Sequence, residues 1–168
     1  MSDDRRLLNY DEYMKDPETI ARGEALRAHL ERLLTPNDER QMKIVYVAGP
    51  YGDAGGYLQI DRNIAQAREA CADLAAAGIG YVCPHLNSAH MEAVVPDVPV
   101  AFWYALDEEL LKRVGDAILI LPRWHDSSGT LREMRFADEL GKPAFYYGDR
   151  SEELYAGEWA NLLEWARS

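Results

Sequence analysis

Four short apolar runs, separated by segments of helical period, constrain this chain more than any other feature. They are Lys43-Ile44-Val45-Tyr46-Val47-Ala48, Ile79-Gly80-Tyr81-Val82-Cys83, Ala117-Ile118-Leu119-Ile120-Leu121 and Ala144-Phe145-Tyr146-Tyr147. Their length and β-branching predict strands. Gly49-Pro50-Tyr51-Gly52 ends the first and Pro84 stops the second. A helix is expected over 61–77, with Ile64, Ala67, Cys71 and Leu74 on one face and Gly78 as its cap. Another begins near Val100, a third runs over 131–140, and an amphipathic helix over 152–166 closes the chain. Strands that alternate with helices imply a doubly wound parallel sheet, here of four to five strands, covered on both faces. Ligands of such sheets sit at the carboxyl ends of the strands. The loops after Ala48, Cys83 and Leu121 therefore converge, and the unusual residues of the chain lie in them.

Residues 1–42 read differently. They are charged, and Leu26, Leu30, Leu33 and Leu34 recur at helical spacing until Thr35-Pro36-Asn37-Asp38 breaks the pattern. This predicts a helical N-terminal extension, 1–42, ahead of one α/β domain, 43–168. The extension either packs on the domain or makes an oligomer contact.

The 168 residues suffice for one domain with a full core. A net charge of −11 argues against duplex nucleic acid as a partner, because phosphates would be repelled. A small phosphorylated ligand stays open, since a few local donors overcome the global field. Cys71 and Cys83 give no disulfide framework and fit a reducing compartment. No apolar run approaches the ~20 residues that span a bilayer, and Met-Ser-Asp-Asp-Arg-Arg has no signal-peptide core. The expectation is a cytoplasmic protein without a membrane partner.

Chemistry concentrates in Trp124-His125-Asp126-Ser127-Ser128-Gly129-Thr130-Leu131-Arg132-Glu133. Ser127, Ser128 and Gly129 can expose N–H groups and hydroxyls at a helix start, a cradle for an anion. Glu133 follows about one turn later. It reads either as a surface carboxylate or as a nucleophile toward a sugar carbon. The second reading needs a proton donor, and Asp107, with Glu108 behind it, is the candidate. The same acidic run also reads as a solvated helix face. The loop from Gly49 is neither a P-loop nor G-x-G-x-x-G, but its glycines permit close backbone approach to a ligand. Pro50 belongs to that loop, Tyr51 is placed to meet a base or sugar, and Arg62 and Asn63 open the next helix. His85, His90 and His125 invite a metal reading, yet no ligand spacing supports one. A structural or substrate-contacting role for His85, with Asn87 beside it, is the stronger reading. No metal and no cofactor are expected.

Three segments together resemble the nucleoside 2-deoxyribosyltransferase-like family, in its uncharacterised bacterial and phage branch. They are Lys43 through Tyr51 with A-G-P-Y, Cys83-Pro84-His85-Leu86-Asn87, and Asp107 through Glu133 to Gly141-Lys142-Pro143, carrying L-P-x-W and S-x-G-x-x-x-E. The resemblance covers about residues 43–147. It implies a flavodoxin-like, or Rossmann-like, sheet and cleavage of the N-glycosidic bond of nucleosides or nucleotides. It matches the catalytic glutamate to Glu133 and the companion aspartate to Asp107, or to Glu108 if the spacing shifts. Nucleoside transferases of the family carry an aspartate six residues before the glutamate, where this chain has Ser127. The 2′-deoxynucleoside 5′-phosphate N-hydrolases carry serine there, with a glycine two positions on, as Gly129 is here. A serine hydroxyl suits a phosphate that a carboxylate would repel. Asp126, one residue earlier, restores the aspartate under a small register shift. The resemblance also implies a homodimer or higher homo-oligomer. The expected activity is nucleotide or nucleoside N-glycosidase or deoxyribosyltransferase. The alternative is a non-catalytic nucleotide sensor on the same scaffold.

Overall fold

The computed structural model describes residues 42–52, 56–149 and 151–168, with isolated positions between 15 and 24. The chain divides into Met1–Gln41 and Met42–Ser168, and the fold below is that of the second unit. The helical extension expected over 1–42 lies outside the described residues apart from those isolated positions.

In chain order the elements are β1 (Ile44–Ala48), α1 (Gly56–Ala76), β2 (Gly80–Val82), α2 (Pro84–Asn87), α3 (Met91–Val94), α4 (Val100–Arg113), β3 (Ala117–Ile120), a 3₁₀ turn (Trp124–Asp126), α5 (Ser128–Glu139), β4 (Ala144–Tyr146) and α6 (Glu153–Arg167). The four strands form one parallel sheet in the order β2-β1-β3-β4. The protein is an α/β doubly wound fold. After β1 the chain goes outward to β2, then crosses back to β3 on the other side. The order therefore reverses between β1 and β3, and such a reversal opens a crevice at the strands' carboxyl ends. Ala48 pairs with Ile120 at that end.

Alternation along β1 and β3 sorts the interior into two layers. Val45, Val47, Ala117, Leu119 and Leu121 meet Ala67, Ala70, Cys71 and Leu74 of α1 and Leu162 of α6. Tyr46, Ala48, Ile118 and Ile120 meet Leu111 of α4 and Ala137 of α5. Both central strands are buried throughout, apart from Ile44 at the entry to β1. That explains why they read as continuous apolar runs. The face expected for α1 (Ile64, Ala67, Cys71 and Leu74) is buried. Gly78 ends that segment at φ 75°, a conformation that suits glycine.

Three local features differ from the sequence expectation. α1 begins at Gly56, five residues early, so the glycine-rich loop is shorter than its composition suggests. α5 begins at Ser128 because the Ser127 hydroxyl accepts from Thr130 N–H at 3.2 Å. This N-cap turns a loop-like Ser-Gly-Thr run into the first helical turn. The Pro- and Asn-containing stretch before α4 holds two single turns, α2 and α3, each too short to show a period. No helix among the described residues is long and apolar enough to cross a membrane.

Candidate active site

The α4/α5 layer brings two carboxylates to the sheet. Tyr46 points into that layer from β1 and is fully buried. Its hydroxyl donates to Glu133 Oε1 at 2.5 Å. Glu133 lies in the second turn of α5, its side chain half-buried and its carboxyl turned into the protein. Burial raises its carboxyl to about 8; the Tyr46 bond opposes that rise and Asp107 reinforces it. Asp107, from the middle of α4, is pushed up to about 6 by burial first, with His85 opposing and Cys83 and Glu108 adding to the rise. Tyr46 is held far above the ordinary phenol value by burial and then by the two carboxylates. Near neutral pH the two carboxyls together therefore hold about one proton.

The arrangement separates Asp107 from Glu108. Glu108 accepts from Arg132 Nε at 2.5 Å on the outer side of the helices, and the Arg132 guanidinium lies 5.2 Å from the Tyr104 ring. The sequence left the two acids interchangeable. Helical geometry points neighbours about 100° apart, so only one can face the sheet.

The loop after β1 is fastened from several sides. His85 is buried, and its Nε2 lies 2.8 Å from the Pro50 carbonyl oxygen. The Tyr51 hydroxyl donates to Glu92 at 3.0 Å and accepts from His90 N–H at 2.8 Å. The Tyr51 ring meets His85 edge-on at 5.7 Å. Asn63 is a buried strut: its Nδ2 donates to the Tyr51 carbonyl at 2.8 Å, and its Oδ1 accepts from Gln59 Nε2 at 3.0 Å. Gly49 is needed for packing: a Cβ there would stand 2.8 Å from Leu121 side-chain atoms. Behind His85, the Cys71 thiol donates to the Cys83 sulfur, which holds Cys83 below the ordinary thiol value and Cys71 above it.

Of the residues singled out in the sequence, Glu133, Asp107 and His85 come together, with Pro50 and Tyr51 adjoining through His85. Ser127 caps α5, Gly129 lies in its first turn near Tyr104, and Ser128 is exposed there. Arg62, Asn87 and Asp126 are exposed, and Asp126 stands 3.5 Å from His125. Tyr46 was not anticipated, because a tyrosine inside an apolar strand reads as core.

A family described as a domain of unknown function, DUF1937, matches residues 43–149, from β1 to just past β4. The chain belongs to that family. No curated protein matches it. The matched stretch contains the whole sheet, the carboxylate pair, Tyr46 and the Cys83–His85 turn.

Proposed function

We propose that this protein cleaves the N-glycosidic bond of a nucleoside 5′-monophosphate or nucleoside, with Glu133 as nucleophile and Asp107 as proton donor. The observation that carries this reading is the Tyr46–Glu133 hydrogen bond beside a second acid, Asp107, with both carboxyls raised by burial. Attack needs one ionised and one protonated carboxyl, the state expected between about 6 and about 8. As positive charge develops on the sugar carbon, it favours the Glu133 anion, as does the Tyr46 donor. The proton then belongs on Asp107, which delivers it to the departing base. The C–N bond breaks as the Glu133–sugar bond forms. Water releases the sugar in hydrolysis; a second base takes it in transfer. The first turn of α5, at Ser127, Ser128 and Gly129, is where the 5′ end would rest. The resemblance to nucleoside 2-deoxyribosyltransferase-like proteins supports the same assignment, and with it a homo-oligomer in the cytoplasm.

A second reading, a nucleotide sensor without turnover, has one observation in its favour. With Glu133 raised to about 8, the proton held near neutral pH rests on the would-be nucleophile. Chromatography of free base released from nucleosides and their 5′-monophosphates, in ribo and deoxy forms, separates the two. Wild type should release base from some member of the panel, and Glu133→Ala should lose at least roughly a thousandfold of that rate. Release that survives in the variant removes Glu133 as nucleophile. No release at all, together with a nucleotide-induced rise in melting temperature, selects the sensor.

A further inference from the structure

Besides Tyr46, the buried polar side chains among the described residues are Asn63, His85 and Thr130, and of these three only His85 can carry a charge. Its Nε2 faces the Pro50 carbonyl at 2.8 Å, and a carbonyl only accepts, so Nε2 bears a proton. The charge on the ring is then decided at Nδ1. That atom is enclosed and has no well-aligned hydrogen-bond partner. The Cys83 sulfur lies beside the ring from the start of α2, and the carboxylates of Asp107 and Glu133 act on it from α4 and α5. Tyr46 from β1, Tyr51 from the following loop and Cys71 from α1 complete the ionisable groups around this cluster. A neutral ring would leave a buried lone pair unmatched, and two acids and a phenol packed together without a counter-charge. A protonated ring supplies that charge and aims an N–H toward sulfur.

We propose that His85 is a positioning residue: a buried imidazolium, anchored on the Pro50 carbonyl, that serves as counter-charge to the Asp107–Glu133 pair. Burial opposes the charge, but Cys83, the Pro50 carbonyl and Glu133 outweigh it, leaving His85 above the ordinary histidine value. The effect is reciprocal, since His85 lowers both carboxyls. The consequence for turnover rests on the N-glycosidase reading; the charge itself does not.

Nuclear magnetic resonance of the imidazole C–H groups tests the charge directly. The chain has four histidines, and the His85 signal is identified by its loss in His85→Gln or, should that variant not fold, by exclusion with substitutions at the other three. In wild type it should titrate above the ordinary histidine range. Its midpoint should fall in Glu133→Gln and again in Asp107→Asn, two variants that leave the histidine in place. A midpoint unmoved in both overturns the proposal. In turnover, His85→Gln should move both limbs of the pH–rate profile to higher pH, with KM little changed. Where both limbs move up by about one pH, the loss is roughly tenfold near pH 5, vanishes between the limbs and turns into a gain near pH 9. A loss equal at every pH would mean a merely structural role and would also overturn it. Absence of any turnover in wild type would instead count against the N-glycosidase reading, while the resonance titration still decides the charge.

Discussion

The two faces of the sheet share the same strands and differ in almost everything else. On the α1/α6 face the side chains of Val45, Val47, Leu119, Leu74 and Leu162 close a hydrophobic layer. On the α4/α5 face the intervening residues, Tyr46, Ala48, Ile118 and Ile120, carry an apolar floor onto which two acids descend. Val45 and Tyr46 are neighbours in sequence and face opposite layers. Burial contributes stability on the first face, at about 1.5–3 kcal/mol for a fully enclosed Leu or Val side chain. The same burial costs stability on the second, because it withholds water from Glu133. One face is built for cohesion, whereas the other holds groups against their solvation preference, as reactive sites do.

The largest expected effect comes from substituting one residue on each face. Leu74→Ala removes a fully buried side chain and should destabilise by about 2–5 kcal/mol at any pH. Glu133→Gln should do the reverse. The Glu133 carboxyl is raised from 4.5 to about 8 on folding. A raised acid contributes its stability fully below the unfolded value and loses it as pH climbs to the folded one. A glutamine never ionises, so its advantage over wild type should open between pH 5 and pH 8 and then level off. With the side chain only half-buried, that gain is on the order of 2–4 kcal/mol. Thermal melts of both variants across that range check it. A Glu133→Gln gap that stays constant with pH would break the contrast between the faces.

Turnover should carry the same pair of titrations. Below about 6 both carboxyls are protonated and no nucleophile remains; above about 8 both are ionised and no proton donor remains. The rate should therefore be bell-shaped with a maximum near pH 7, falling about tenfold per pH beyond each limb. A profile flat from pH 5 to 9 would exclude the pair from the rate-determining chemistry.

The apolar face was legible from the residues alone, down to the buried stripe of α1, because burial repeats with the period of the element. The parallel sheet was legible too, since strands that alternate with helices can pair only that way, but the order β2-β1-β3-β4 came from the structure. What escaped was direction. An apolar strand buried on both faces gives no sign of which side chain meets a carboxylate, so Tyr46 passed as core. Asn63, at a helix start, carried the mark of a ligand contact, yet the structure gives its amide to the Tyr51 carbonyl. Gly49, read as room for a ligand, also leaves room for the Leu121 side chain. Tyr46→Phe tests the missed residue. It keeps the ring in the apolar layer and removes only the 2.5 Å bond to Glu133. The rate should fall roughly 10- to 100-fold, with melting temperature lowered by only several degrees. A Tyr46→Phe enzyme of full activity would return this tyrosine to the core, where its sequence had placed it.

The smallest expected effect separates two adjacent acids. Asp107 belongs to the cluster around Glu133 and His85, whereas Glu108 pairs with Arg132 on the outside of α4. That outer pair is solvent-accessible, and such pairs are worth about 0–1 kcal/mol. Glu108→Gln should therefore leave the rate within about threefold of wild type. It should lower the melting temperature by no more than a few degrees. Asp107→Asn, one residue away, removes the proposed proton donor and should cost roughly 100- to 1,000-fold in rate. Its alkaline limb should disappear as well, because an amide does not ionise. Equal losses at the two positions would mean that α4 turns in solution to present both acids. The helix would then be a moving part of the site rather than a fixed wall.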